Sequence, residues 1–378
     1  MDKSFFGSFF SKKELLPFFR KGHRMSTIAI PTLHTARLTL RAFREADWDA
    51  YAAMFADPEV VRYLGDGQVR DRDASWAAMA RAVGQWAMRG YGLFAVEAPD
   101  GGLAGHAGFL QPHPWREPEV AYTIVPKYQG QGFATEAASA VRAWGAMARG
   151  ILHPVSFIRP ANTPSVNVAR KLGAREEATL TLTLMGGPAL RFRHASPPGE
   201  MPALGAPTLI ETPTLHTERL RLRAFTAGDF APLCAIQADA EVMRYLGGGV
   251  PRDAALTWTN MVFWSGGWGL RGTSYLAVTD QETGALIGRC GVIDAPGWPE
   301  PELGYTIARA AWGQGYATEA AGAARDWALR VLRPASLYSY VKLGNASSAN
   351  VARKLGAVLE GVFEFEGKPT ERWAFARR

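Results

Sequence analysis

The same domain-length pattern occurs twice in this chain, and that duplication limits its possible folds more than any other feature. Pro31-Thr-Leu-His-Thr-Ala-Arg-Leu38 returns in the second half as Pro213-Thr-Leu-His-Thr-Glu-Arg-Leu220. Arg41-Ala-Phe43 and Arg62-Tyr-Leu-Gly65 recur at the same offset, as Arg223-Ala-Phe225 and Arg244-Tyr-Leu-Gly247. Farther along, Tyr122-Thr-Ile124, Gly130-Gln-Gly132 and Val168-Ala-Arg-Lys-Leu-Gly173 reappear as Tyr305-Thr-Ile307, Gly313-Gln-Gly315 and Val351-Ala-Arg-Lys-Leu-Gly356, with the offset longer by a single position. So small a drift over a whole domain means one fold, copied; solenoid repeats are far shorter, about 20–50 residues. A length of 378 residues also exceeds what one hydrophobic core usually serves. The expected layout is a tail over 1–30, disordered, a first domain over 31–194, a Pro/Gly-rich linker over 195–212 and a second domain over 213–378.

Within each copy, strand-like and helix-like patterns alternate. Residues 37–41 alternate apolar and polar as a strand does, and 47–54 and 74–88 carry apolar residues at helical spacing. A hairpin is predicted over 92–96 and 103–110 around the turn 99–102; 274–278, 282–284 and 285–293 repeat it. A strand ending at Ile124 or Ile307 follows, then a glycine loop, an alanine-rich helix, another strand, and a short helix closed by Gly173 or Gly356. This order predicts a mixed α/β fold.

The net charge of +7 is concentrated at one end. Residues 1–24 hold six Lys/Arg against Asp2 and Glu14, leaving only +3 for the rest, so no basic stripe for nucleic acid is expected. That aromatic, basic segment lacks the apolar run of a signal peptide and is too short to span a bilayer. It reads as a tail, or as an extension ahead of a start at Met25, with weak amphipathic membrane contact as the other reading. Stable membrane insertion is not expected. Cys234 and Cys290 have no metal or disulfide spacing, and no Cys/His/Asp cluster suits a metal, which fits a reducing cytoplasm.

Gln129-Gly-Gln-Gly-Phe-Ala-Thr-Glu136 and its twin Trp312-Gly-Gln-Gly-Tyr-Ala-Thr-Glu319 are the most specific local feature. Each lies between a strand and a helix, where glycines admit a ligand close to the backbone and free helix N–H groups favour anionic oxygens. A diphosphate is the natural guest. Neither the P-loop nor the Rossmann spacing is present.

These segments resemble the Q/R-x-x-G-x-G/A signature of the GNAT acetyltransferases, which copy one meets with Gln129, Gly132 and Ala134. Copy two departs from it at Trp312. The opening Thr-x-Arg-Leu-x-Leu-Arg and the later Asn-x-x-Ser before Lys-Leu-Gly resemble the branch that acetylates ribosomal-protein N-termini. The resemblance spans 31–194 and 213–378, and implies two tandem domains, each a mixed, mostly antiparallel twisted sheet flanked by helices. It implies acetyl-CoA as co-substrate, with its pyrophosphate on Gly130, Gln131, Gly132, Phe133, Ala134 and Thr135 beside Gln129. In copy two the counterparts are Gly313, Gln314, Gly315, Tyr316, Ala317 and Thr318 beside Trp312. The pantetheine arm would lie between two splayed strands.

Acyl transfer to an amine needs a base for the ammonium proton and an acid for the departing thiolate. Glu119 and Glu302, just ahead of each loop, are the candidate bases, with solvated or ion-paired glutamates as the plain alternative. The resemblance assigns Asn162 and Asn345 to the pantetheine or the acceptor, and Ser165 and Ser348 to the thiolate; simple helix N-caps are the competing reading. Tyr122 and Tyr305 are further acid candidates, or core. His34 and His216 read as framework, and Trp76, Trp86, Trp258 and Trp264 as core or acceptor pocket. No Ser or Cys nucleophile with a neighbouring His base accompanies either loop, so direct attack in a ternary complex is expected, on a protein N-terminus or a small amine. The alternative is that one copy alone is catalytic. The fused pair is expected to act as a monomeric, intramolecular pseudo-dimer.

Overall fold

The computed structural model describes residues 25–182, 187–197 and 199–376. In copy one, β1 (Met25–His34), β2 (Thr39–Arg41), α1 (Trp48–Ala56) and α2 (Arg72–Arg89) lead to the hairpin β3 (Leu93–Glu97) and β4 (Leu103–Leu110). After these come β5 (Glu119–Ile124), α3 (Phe133–Arg149), β6 (Val155–Ile158), α4 (Thr163–Lys171), β7 (Arg175–Leu182) and β8 (Gly187–Arg193). Copy two repeats the series, with β9 (Ala203–Pro213), β10 (Leu215–His216), β11 (Leu220–Arg223), α5 (Phe230–Ala238), α6 (Ala254–Arg271), β12 (Tyr275–Asp280) and β13 (Leu286–Ile293). It closes with β14 (Glu302–Ile307), α7 (Tyr316–Trp327), β15 (Tyr338–Lys342), α8 (Ala346–Lys354), β16 (Val358–Phe365) and β17 (Lys368–Ala374).

The mixed α/β expectation holds: two mixed sheets run β7-β8-β6-β5-β4-β3-β2-β1-β9 and β10-β11-β12-β13-β14-β15-β17-β16. Among the described residues every pairing is antiparallel except β5 with β6 and β14 with β15. The long helix read over 74–88 extends over Arg72–Arg89; Asp71 accepts the Ala74 N–H at 2.7 Å to start it, and Gly90 stops it in the left-handed region. The tryptophans left open between pocket and core are buried: Trp76, Trp86, Trp258 and Trp264 all belong to one core that runs through both copies.

Two boundary expectations need correction. Residues 25–30, read as tail, are strand, and so are residues 203–212, read as linker. Met25–His34 pairs with Ala203–Pro213 in antiparallel register, shifted only between Ile30 and Thr32. Pro31 sits at that shift, where the ladder tolerates a residue without an N–H. The expectation of disorder for residues 1–24 lies outside the described residues. Ile28 pairs with Ile210, its own counterpart in the repeat, so a local two-fold axis passes between them.

Helices α2 and α6 meet across the same axis. A Cβ on Gly84 would fall 1.7 Å from the Val262 carbonyl oxygen, and one on Gly266 would fall 1.7 Å from that of Ala80. Gly84 and Gly266 are equivalent positions of the two copies, as are Ala80 and Val262, so the contact is reciprocal, as a two-fold interface requires. Trp76 packs edge-on against Phe263, and Arg271 pairs with Glu45 at 3.1 Å around the crossing. No helix among the described residues is long and apolar enough to cross a membrane.

Candidate active sites at the splayed strands

Each sheet opens where its one parallel pairing occurs. β5 and β6 share the single register pair Glu119 with Val155, and β14 and β15 the pair Glu302 with Tyr338. Serine hydroxyls clip the strands at that end: Ser156 Oγ donates to the Val120 carbonyl at 2.8 Å, and Ser339 Oγ to that of Leu303 at 2.7 Å. Beyond the clips no ladder joins them, and a cleft between strands results.

The glycine loops cross the wide end. Gly130 and Gly132 adopt φ of 74° and 82°, and Gly313 and Gly315 repeat this at 76° and 83°. Gly132 and Gly315 are the N-cap residues of α3 and α7, and a glycine cap has no side chain to take up the first-turn N–H groups. Those donors stay available to an anion, and a Cβ at Gly130 or Gly313 would meet nothing within 4 Å. The loop therefore fits a diphosphate on both backbone freedom and open space.

Sequence reasoning missed what holds each loop. Arg37 pairs with Glu136 at 2.6 Å, donates to the Gln131 carbonyl at 2.9 Å and lies 4.7 Å over the Phe133 ring, while Thr35 Oγ1 donates to Glu136 at 2.5 Å. Arg219, Glu319, Gln314, Tyr316 and Thr217 repeat every contact. Burial opposes ionisation of Glu136, but Thr35 and Arg37 hold it below the ordinary carboxylate range. The repeated Thr-x-Arg was visible in the sequence, where it reads as part of the family-like opening segment and not as a support for the loop. Glu136→Ala is expected to raise KM for acetyl-CoA at the first copy about tenfold with a smaller change in kcat, measured in a chain carrying Glu302→Gln.

Gln129 and Trp312 turn away from the loop. Gln129 Nε2 donates to the Ile124 carbonyl at 2.8 Å, and Trp312 Nε1 to that of Ile307, also at 2.8 Å. The departure of copy two from the signature is thus one of residue type only, since amide and indole supply the same N–H to the same strand end.

Glu119 is buried at the narrow end of its cleft. Burial raises its carboxyl to about 8, against the pull of the Phe157 N–H, which it accepts at 3.0 Å. Glu302 is half-buried and also raised, chiefly by loss of solvent, with the Trp298 indole N–H at 2.6 Å and the charge of Arg289 drawing it back. Neither carboxylate is the solvated residue of the plain reading.

Asn162 and Asn345 are N-caps, their side-chain oxygens accepting from Ser165 N at 3.3 Å and Ser348 N at 3.2 Å. Those acceptors serve α4 and α8, as the competing reading held. The serine hydroxyls are differently placed. Tyr122 Oη lies 3.0 Å from Ser165 Oγ, and Tyr305 Oη 3.1 Å from Ser348 Oγ. Burial pushes both phenols up to about 12, the serine contacts opposing it, so each stays protonated at neutral pH. Each splayed strand thus carries a carboxylate of raised basicity and, three residues on, a tyrosine–serine pair, and it leads into a helix end with free N–H groups.

The acetyltransferase (GNAT) domain family matches residues 37–175 and 219–358. The uncharacterized N-acetyltransferase YnaD of Bacillus subtilis is 31% identical over 144 residues, covering 38% of this chain and 82% of its own. A solved acetyltransferase of Agrobacterium tumefaciens is 35% identical, covering 43% of this chain and 94% of its own, at a TM-score of 0.40. RimL, a ribosomal L7/L12 α-N-protein acetyltransferase solved with coenzyme A, is 18% identical, covering 44% of this chain and 96% of its own at a TM-score of 0.38. Two matches that together take in most of the chain, on a fold duplicated about its own axis, make this protein a member of the GNAT acetyltransferase family with two tandem copies of the domain.

Proposed function

We propose that each copy binds acetyl-CoA and transfers its acetyl group to a primary amine by direct attack, without a covalent enzyme intermediate. The observation that carries this reading is that, at both splayed strand pairs, a glutamate largely withdrawn from water and a tyrosine–serine pair stand three residues apart on the strand that leads into a glycine loop. GNAT enzymes use acetyl-CoA, and the pyrophosphate would rest on the N–H groups of residues 130–135 or 313–318. Glu119 or Glu302, made more basic by burial, takes the ammonium proton of the acceptor directly or through a water. The neutral amine then attacks the thioester carbonyl. Tyr122 and Ser165, or Tyr305 and Ser348, supply the proton that the departing thiolate takes up. The acceptor is a protein N-terminus or a small amine, and the two-fold contact between copies supports a monomeric pseudo-dimer.

CoA release by Glu119→Gln and Glu302→Gln chains, each measured separately, tests the scheme. Equal partial losses mean two working sites; complete loss from either substitution alone means one copy has become a structural partner. Trp298→Phe, which removes the indole N–H from Glu302, is expected to move the ascending pH limb of the second copy to higher pH in a Glu119→Gln chain. The sign follows because that N–H stabilises the ionised carboxylate. A limb that stays in place would separate Glu302 from the proton transfer.

A further inference from the structure

We infer that the acceptor cleft of the second copy contains a carboxylate-binding site built on Arg289, so that this copy takes amines that also carry a carboxylate. The inference rests on the reading of Glu302 as the residue facing the acceptor amine. Arg289 stands on β13 opposite Thr306, and the two-residue alternation of paired strands puts it on the same sheet face as Gly304 and Glu302. Its side chain is buried, with the residue only 8% exposed. The guanidinium carbon lies 3.9 Å from the centre of the Tyr275 ring and 4.5 Å from that of Trp264. Aromatic rings compensate a cation through its faces, not through its in-plane N–H donors, of which the Tyr275 hydroxyl takes up one. Nε and Nη1 of Arg289 are buried and have no hydrogen-bond partner among the described residues.

Nε–H and Nη1–H point to different edges of the guanidinium, so a carboxylate meets one of them together with Nη2. A buried donor without an acceptor is costly, and a charge-assisted bond to a carboxylate removes that cost. Arg252 adds positive charge nearby, close enough to Arg289 for the two to repel. The Glu302 end of this face is half-exposed, and the Tyr275 hydroxyl stands over Gly304, where a Cβ would come within 2.4 Å of it. Glu302 therefore shares its sheet face with a phenol and with a guanidinium that has donors to spare. Copy one has His106 at the corresponding position, opposite Thr123, with Nδ1 3.3 Å from Tyr51 Oη. Burial, aided by the charge of Arg70, lowers His106 to about 4, so no cation occupies this position in the first copy.

The test uses the full chain with Glu119→Gln, which confines turnover to the second copy. Matched acids and amides are compared: phenylalanine with phenylalaninamide, aspartate with asparagine, and short peptides beginning with Asp or Asn. Binding is measured by calorimetry with CoA present, and turnover by CoA release from acetyl-CoA. At least one acid is expected to bind about tenfold or more tightly than its amide. Arg289→Gln should bring the pair to parity, while Arg289→Lys should retain part of the preference. Whether the free amino acids or the peptides respond identifies the source of the carboxylate. Equal binding of acid and amide throughout, failure of every member to bind, or a preference surviving Arg289→Gln in a folded chain overturns the inference. The comparison within the unsubstituted second copy stands even if that variant does not fold. Acid-selective binding without CoA release would instead defeat the acetyl-transfer reading, and CoA release without acid preference would spare it.

Discussion

Glu119→Gln, introduced into a chain whose second copy already carries Glu302→Gln, should lower CoA release by about 10²–10⁴-fold, the usual contribution of a general base. The glutamine keeps the size of the side chain and can still accept the Phe157 N–H that Glu119 accepts at 3.0 Å, so the fold is spared while the proton acceptor is lost. The pH profile makes this expectation specific. Only the carboxylate form can act as base, and burial has raised Glu119 to about 8. At pH 7 about a tenth of the sites are ionised. In a Glu302→Gln chain, kcat/KM should therefore climb as pH rises towards 8 and level off above it, and the remaining activity of the double variant should lack that limb. A Glu302→Gln chain with full activity and no inflection near 8 would remove Glu119 from the chemistry.

What the sequence could disclose depended on whether a signal was local. The strand, glycine loop and helix around residues 119–149 were legible because turn, cap and periodicity lie within one short segment, and the repeat supplied a second copy of each. Glu119 and Glu302 were visible by position, but their burial was not, since it is created by strands distant in the chain. Pairing of β1 with β9 was hidden for a related reason. Residues 25–34 and 203–213 are brought together only by the two-fold contact of the copies, and prolines at 31 and 207 make each alone read as a break. The reach of Arg37 to Glu136 likewise joins segments separated by 99 residues. Gln129 and Trp312 show a different limit. Comparison by residue type set them apart, although each donates one N–H to an equivalent carbonyl. The converse holds for His106 and Arg289, where searching for what repeats passed over a position at which the copies differ in charge.

The largest effect on stability should come from Gly84→Leu, and Gly84→Ala already tests its cause. A first carbon added at Gly84 lies 1.7 Å from the Val262 carbonyl oxygen, 2.6 Å from its carbon and 2.8 Å from the Gly266 nitrogen, all of them backbone atoms that no rotamer change can move. Relief requires α2 and α6 to separate by more than an ångström, which pulls Trp76 from Phe263 and thins the core shared by the two copies. Dispersion falls off steeply over such a gap. Overpacking of this kind costs about 1–3 kcal/mol, with leucine at or above the upper end. On a free helix surface the same Gly→Ala change would stabilise by about 0.5–1 kcal/mol, so the sign of the effect reports the contact. Gly322 in α7 provides the comparison, because a Cβ there meets only the Leu355 side chain at an ordinary 3.5 Å. Denaturant unfolding should show a lower midpoint for Gly84→Ala and Gly266→Ala, and an unchanged or higher one for Gly322→Ala. Because Gly84 and Gly266 face each other across the axis, their double variant should deviate from the sum of the two single changes: once one has pushed the helices apart, the second meets less obstruction. Additive losses would mean that the helices do not cross at these glycines, and the two-fold junction would then need a different contact to hold it.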